Sequence, residues 1–119
     1  MAAYCTEAQV KLAMNANEVI AYGDDGGDGS IDTNVSLFIR ESASYLMYSI
    51  IKDSPTVATT WNPATYTEGD GTHMILELMA APLAAYMFEQ RQNGTSMDQN
   101  VEHPTISWCH DVRAGLADV

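Results

Sequence analysis

Positive charge is what this sequence has least of. Five lysines and arginines stand against sixteen aspartates and glutamates in 119 residues, leaving a formal net charge of −11. A surface of that sign repels duplex phosphate, which argues against sequence-specific nucleic-acid binding. The same repulsion suits a wall past which DNA slides without adhering. Cysteine is scarce too. Cys5 and Cys109 lie far apart with no C-x-x-C spacing, and no secretory n-region or h-region opens the chain, so reduced thiols in a cytosolic setting are expected. Long apolar runs are lacking. The best candidate, Met74 to Phe88, contains Glu77 and Pro82, which predicts a soluble protein with no membrane partner.

What the chain does have is a globular composition. Apolar residues make up 46% and charged residues only 18%, enough to build one hydrophobic core and too apolar for a disordered chain. The expectation is a single domain over residues 1–119, mainly α: a small helical bundle with two long helices, short terminal helices and a long loop between the long ones.

The segment Thr6 to Gln9, TEAQ, is a capping-box pattern that opens a first helix carrying Val10, Leu12, Ala13 and Met14. After Asn15 to Asn17, NEVIAY forms a brief turn ending at Gly23. Asp32 to Ile51 is the clearest helix, with Val35, Phe38, Ile39, Ser42, Leu46 and Ile50 at three- and four-residue steps. Leu37, Glu41, Tyr45 and Tyr48 make a second, fairly apolar stripe beside it. More than one apolar face on a helix predicts contact with a neighbouring chain as well as with its own core.

Lys52 to Thr72 changes texture. Pro55, Pro63, Gly69 and Gly71 punctuate it, while Val57 to Trp61 is β-branched and aromatic, so a long loop with a short hairpin is the expectation. Trp61 and Tyr66 are candidate interface anchors there. Thr72 to Asn93 is the second long helix, with Met74, Ile75, Leu78, Met79, Leu83, Tyr86 and Met87 as its apolar set. Pro82 is expected to kink it. Asn93-Gly94 supplies a left-handed stop, and Ala80, Ala81, Ala84 and Ala85 invite close approach of another helix. Thr105 to Ala114 makes a last short helix with Ile106, Trp108, Cys109 and Val112 apolar and Gly115 as its end.

Chemistry-bearing patterns are thin. The segment Gly23 to Asp32, GDDGGDGSID, resembles an EF-hand loop when Asp24 takes the first ligand position: Asp28, Ser30 and Asp32 then fall on the fifth, seventh and ninth. Gly26 occupies the third, however, and Val35 stands where the bidentate glutamate belongs. The simpler expectation is an acidic turn whose Asp32 or Thr33 caps the following helix. His73, His103 and His110 do not combine with either cysteine at zinc-ligand spacing, and His73 and His103 are expected at the surface. Ser107, His110 and Asp111 lack the G-x-S-x-G elbow of a hydrolase, and the acidic loop lacks a P-loop lysine. Neither an enzyme nor a cofactor is expected.

The order of features resembles the head–tail connector (adaptor) proteins of tailed bacteriophages. That family begins with a Tyr-x-Thr-x-x-x-Val/Leu segment, matched by Tyr4, Thr6 and Val10. Its acidic turn leads into Ile-Asp-x-x-Val with a Tyr-Leu further on, matched by Ile31, Asp32, Val35, Tyr45 and Leu46. Its second core helix ends in an Ala-x-Tyr-x-x-x-x-Arg element, matched by Ala84, Tyr86 and Arg91, and ISWCHDVRAGL is similar to its closing helix. The resemblance implies a structural virion protein, assembled in the host cytoplasm and located in the neck. There it forms a ring of copies, commonly twelve, between the portal protein and a stopper or tail-side neck protein, and extends the DNA channel. It also implies a portal-binding role for the last helix through Ile106, Trp108 and Val112. Asp53 to Gly71 is longer than the corresponding family segment and carries Trp61, and the first turn is unusually rich in aspartate. The alternative is a small acidic, calcium-responsive or protein-binding module acting through Asp24 to Asp32.

Overall fold

Five α-helices account for the fold, as the computed structural model of the chain shows for residues 3–54, 61–68, 71, 73–92 and 102–117. Helix α1, Glu7–Ala13, starts where the capping box predicts: the Gln9 amide donates to Thr6 Oγ1 at 3.2 Å, and the Thr6 amide donates to Gln9 Oε1 at 2.8 Å. Helix α2, Ala16–Gly23, is a full two turns rather than a brief one, because the Asn15 side chain accepts from the Asn17 amide and caps it. Helix α3 covers Thr33–Ile51 and α4 covers Met74–Gln92, running on through Pro82. Helix α5, Pro104–Arg113, begins with proline at its first position. Its cap is His103, whose Nδ1 accepts from the Thr105 amide at 3.1 Å. Burial lowers the His103 pKa, which keeps that nitrogen unprotonated and able to accept.

Among the described residues there is no strand. Between α3 and α4 lies a short 3-10 turn, Pro63–Thr65, capped by the Asn62 side chain. Of the Val57 to Trp61 stretch on which a hairpin was expected, residues 57–60 fall outside the described residues and Trp61 is not in a strand; the stop expected at Asn93-Gly94 also falls outside them.

The faces of both long helices differ from the expected ones. Helix α3 buries Ser36, Ile39, Arg40, Ala43, Ser44, Met47, Ile50 and Ile51, while Phe38 and Tyr45 lie on the opposite, outward side. Helix α4 buries Leu76, Glu77, Ala80, Ala81, Leu83, Ala84 and Phe88 and leaves Met74, Ile75 and Leu78 outside. Small residues explain the choice, since alanine and serine faces let helix axes approach closely around the larger Met47, Leu83 and Phe88. The buried hydroxyls do not go unsatisfied. Ser44 Oγ donates to the Arg40 carbonyl and accepts from the Tyr4 amide at 2.9 Å, and Ser36 Oγ accepts from Arg40 Nε.

The core holds both thiols, and burial pushes Cys5 and Cys109 up to about 12, with the Tyr4 hydroxyl raised as well. An unfolded chain gives up thiol protons near the ordinary value of 9.0, before the folded chain does. Stability is therefore undiminished by these groups below pH 9 and falls as pH rises from 9 towards 12, by on the order of 1 kcal/mol per thiol at pH 10. Urea unfolding at pH 8 and pH 10 checks this; an unchanged midpoint contradicts it. The orientation of α3 makes a second prediction. Met47→Ala lowers monomer stability by about 2–5 kcal/mol, whereas Phe38→Ala changes it by no more than about 0.5 kcal/mol, both read from denaturant titrations.

Candidate functional site

Three arrangements carry the polar and interaction chemistry of the molecule. The first is the acidic loop. Asp24 Oδ1 accepts from the amides of Gly27 (2.7 Å) and Asp28 (3.2 Å), and its Oδ2 accepts from Gly29 (2.8 Å). Gly27 and Gly29 have φ of 70° and 84°, the left-handed region that glycine enters freely, so the loop can curl around one carboxylate. Asp28 accepts from both the amide and the hydroxyl of Ser30, which holds its carboxyl below the usual range. Asp32 does occupy the N-cap position of α3, but its side chain turns back to accept from the Asp25 amide and makes no cap hydrogen bond; Thr33 is already helical. Arg91 at the end of α4 anchors the whole loop. It makes a forked pair with Asp25, at 3.0 and 2.6 Å, and donates to the Tyr22 carbonyl at 2.9 Å. The Arg91 guanidinium holds Asp25 below the usual carboxylate range.

Asp24, Asp28 and Asp32 each offer a carboxylate oxygen within 4.8 Å of the others. Those oxygens already serve as the acceptors that fold the loop. The third and twelfth ligand positions, Gly26 and Val35, add no side-chain oxygen, so the donor set falls short of the six to eight oxygens that calcium takes.

The second arrangement is a buried polar knot around Glu77. This glutamate is wholly buried on α4. Its Oε2 accepts from the Tyr66 hydroxyl at 2.7 Å and the Gly71 amide at 3.0 Å, and its Oε1 accepts from Gln9 Nε2 at 3.3 Å. Trp61 Nε1 donates to His73 Nε2 at 2.5 Å, and Tyr4 donates its hydroxyl to the Trp61 carbonyl at 2.7 Å. Arg40, buried on α3, meets Glu68 at 2.5 Å and donates to the Cys5 carbonyl. The N-terminal segment, α3, α4, residues 61–68 and Gly71 thus converge here.

Trp61 and Tyr66, expected as interface anchors, are instead core residues, 8% and 4% exposed, because their polar atoms have partners inside. His73 and His103, expected at the surface, are half-buried and hydrogen-bonded. Ile106 and Val112 are likewise in the core, and Trp108 is half-buried against it, so α5 uses this face on its own bundle. Ser107, His110 and Asp111 are exposed along α5. Arg40 was not singled out from sequence, Glu77 stood out only as an interruption of an apolar run, and Arg91 only as part of the resembled family's helix-end element. The usable signal was a charged residue interrupting an apolar run in a chain with very few cations.

The third arrangement is apolar and outward. Phe38, 68% exposed, and Tyr45 stand two turns apart on α3. Leu12, 88% exposed, joins Met74, Ile75 and Leu78 where α1 meets α4. Between α1 and α4 lies an open apolar groove of about 170 Å³ lined by Gln9, Leu12, Ala13, Leu78, Ala81 and Pro82. No helix among the described residues is long and apolar enough to cross a membrane. Comparison with family models, curated proteins and solved structures finds no match for the chain.

Two outcomes follow. Glu77→Ala strands a hydroxyl, an amide and a side-chain amide, and lowers stability by about 3 kcal/mol; Glu77→Gln, which retains one acceptor oxygen, costs about half as much. Calcium titrated to millimolar concentration produces no binding heat and no rise in Tm, since a folded-state ligand stabilises in proportion to its occupancy. A clear Tm rise that disappears in Asp24→Asn would establish the loop as a cation site.

Proposed function

We propose that this chain is a non-catalytic neck component of a tailed-phage virion, a ring subunit lying between the portal and the tail-side proteins. The observation that supports this reading is the pair of outward apolar faces on a small helical bundle. A contiguous patch of large apolar side chains on so small a domain marks a contact surface for protein. The order of motifs summarised above, from Tyr4-x-Thr6 to Arg91, points to the same family of parts. The strongly negative surface is compatible with a channel wall that DNA passes without sticking. In this reading the acidic loop, held by Arg91, rims the passage, and the portal and a stopper or tail-side protein are the partners.

Alpha5 contributes differently from the expectation. Its Ile106, Cys109 and Val112 are committed to the core, so the exposed side of α5, with Ser107, Asp111 and Arg113, is the one that would face a portal. Mixing the purified chain with a portal ring encoded in the same genome tests the reading. The expected result is a stable complex carrying one chain per portal subunit, seen by mass measurement and electron microscopy. A chain that never joins the portal, at any ratio, contradicts it.

A further inference from the structure

We propose that His103 is an acid-sensitive latch between α5 and α4: its neutral ring closes the first turn of α5, and protonation of that ring opens the turn. Such a latch operates whether or not the chain sits in a virion neck.

The start of α5 depends on one acceptor. Pro104 has no amide hydrogen, so Thr105 supplies the first N–H of the helix that needs a partner. That partner is His103 Nδ1, at 3.1 Å. An amide N–H only donates. A neutral imidazole accepts through one nitrogen, whereas an imidazolium carries hydrogen on both and accepts nothing. Water has no room to replace the ring, because Thr105 is 1% exposed. A buried amide without a partner is costly, and a positive ring would also lie against the positive end of a ten-residue helix. A protonated His103 and a closed first turn therefore exclude each other.

Thr105 carries the change to α4. Its hydroxyl donates to the Met79 carbonyl at 2.7 Å, and the His103 ring lies beside the Tyr86 ring with centroids 5.2 Å apart. When Thr105 turns outward to find water for its amide, it lets go of Met79. Ile106, Cys109 and Val112 stay in the core, which confines the opening to the first turn. Tyr86 is the titratable group that faces the ring from α4, and the exposed Glu102 precedes it in the chain. Among the described residues no charged group of α3, α4 or α5 contributes to the lowered pKa of His103, which burial causes. His110 stands in the last turn of α5, where positive charge is favourable. The unfolded chain takes up the His103 proton around the ordinary value of 6.5, and the folded chain only at lower pH. Stability contributed by the cap is complete above pH 6.5 and is lost as pH falls below it.

Amide hydrogen exchange followed by NMR tests the latch. Protection of Thr105 and Ile106 is read relative to Cys109 in the same helix, so the intrinsic effect of pH on exchange cancels. Between about pH 7.5 and pH 5, that ratio is expected to fall about five- to tenfold in the wild type, the size of a lost cap. Its midpoint lies below 6.5 and coincides with titration of the His103 ring resonances. His103→Asn caps without titrating and is expected to hold the ratio constant. His103→Ala lowers it at both pH values. A wild-type ratio that does not change overturns the latch, as does an equal fall in His103→Asn.

Discussion

A single buried carboxylate decides which way the second long helix faces. Glu77 collects a tyrosine hydroxyl, a backbone amide and a glutamine amide from three parts of the chain. An unpaired group in that position is costly, so the donors and the glutamate hold one another in place. With Glu77 fixed inward, Ala80, Ala81 and Ala84, three, four and seven residues on, share its side of the helix. Leu76, Leu83 and Phe88 are buried as well, while Met74, Ile75 and Leu78 are exposed. Burying a leucine contributes about 1.5–3 kcal/mol. A helix that exposes Leu78 while enclosing Glu77 therefore forgoes stability that a monomer has every reason to use. Conflicts of this kind between local preference and global fold concentrate at functional surfaces.

Helix α3 repeats the pattern. Arg40 is buried with Glu68 and the Cys5 carbonyl, and the inward side is completed by serines whose hydroxyls are engaged. Phe38 is left in water. The two helices thus share one feature: polar groups with partners occupy part of the inward side, and some large apolar side chains, Phe38 and Tyr45 on α3 and Met74, Ile75 and Leu78 on α4, are left outside. The acidic loop serves that frame from outside, because the Arg91–Asp25 pair and the Gly23 carbonyl, which accepts from the Asp32 amide at 2.9 Å, fix where α3 begins. Gly23 has a role there that a side chain would disturb. A Cβ would lie 3.0 Å from Ile31 Cγ2 and from Phe88 Cε1, so α2, the loop and α4 meet at a point where only hydrogen fits easily.

Much of this was legible in the order of residues. The mainly helical class, the capping box at Thr6, the two long helices and the last helix ending before Gly115 all follow from local signals that tertiary packing reinforces. Faces were less legible. Periodicity ranks residues by hydrophobicity, and it picked out Ile39, Ile50 and Leu83 correctly, but much of the rest of the inward stripe is alanine, serine and the charged Arg40 and Glu77, while Phe38, Met74, Ile75 and Leu78 lie outside. The expectation that α3 is apolar on more than one side anticipated an outward surface without locating it. Trp61 and Tyr66 illustrate the other limit. An aromatic residue in a loop reads as an anchor for a partner, and only the hydrogen-bond partners His73 and Glu77, 12 and 11 residues further on, show that the loop folds back on its own helix.

The role of the buried carboxylate is tested most directly by Glu77→Leu, which keeps similar side-chain bulk and removes both oxygens that accept from Gln9, Tyr66 and Gly71. A urea midpoint clearly below that of the parent chain is expected, because three donors lose their partner inside the fold. A midpoint equal to or above the parent's would contradict the central place given to Glu77.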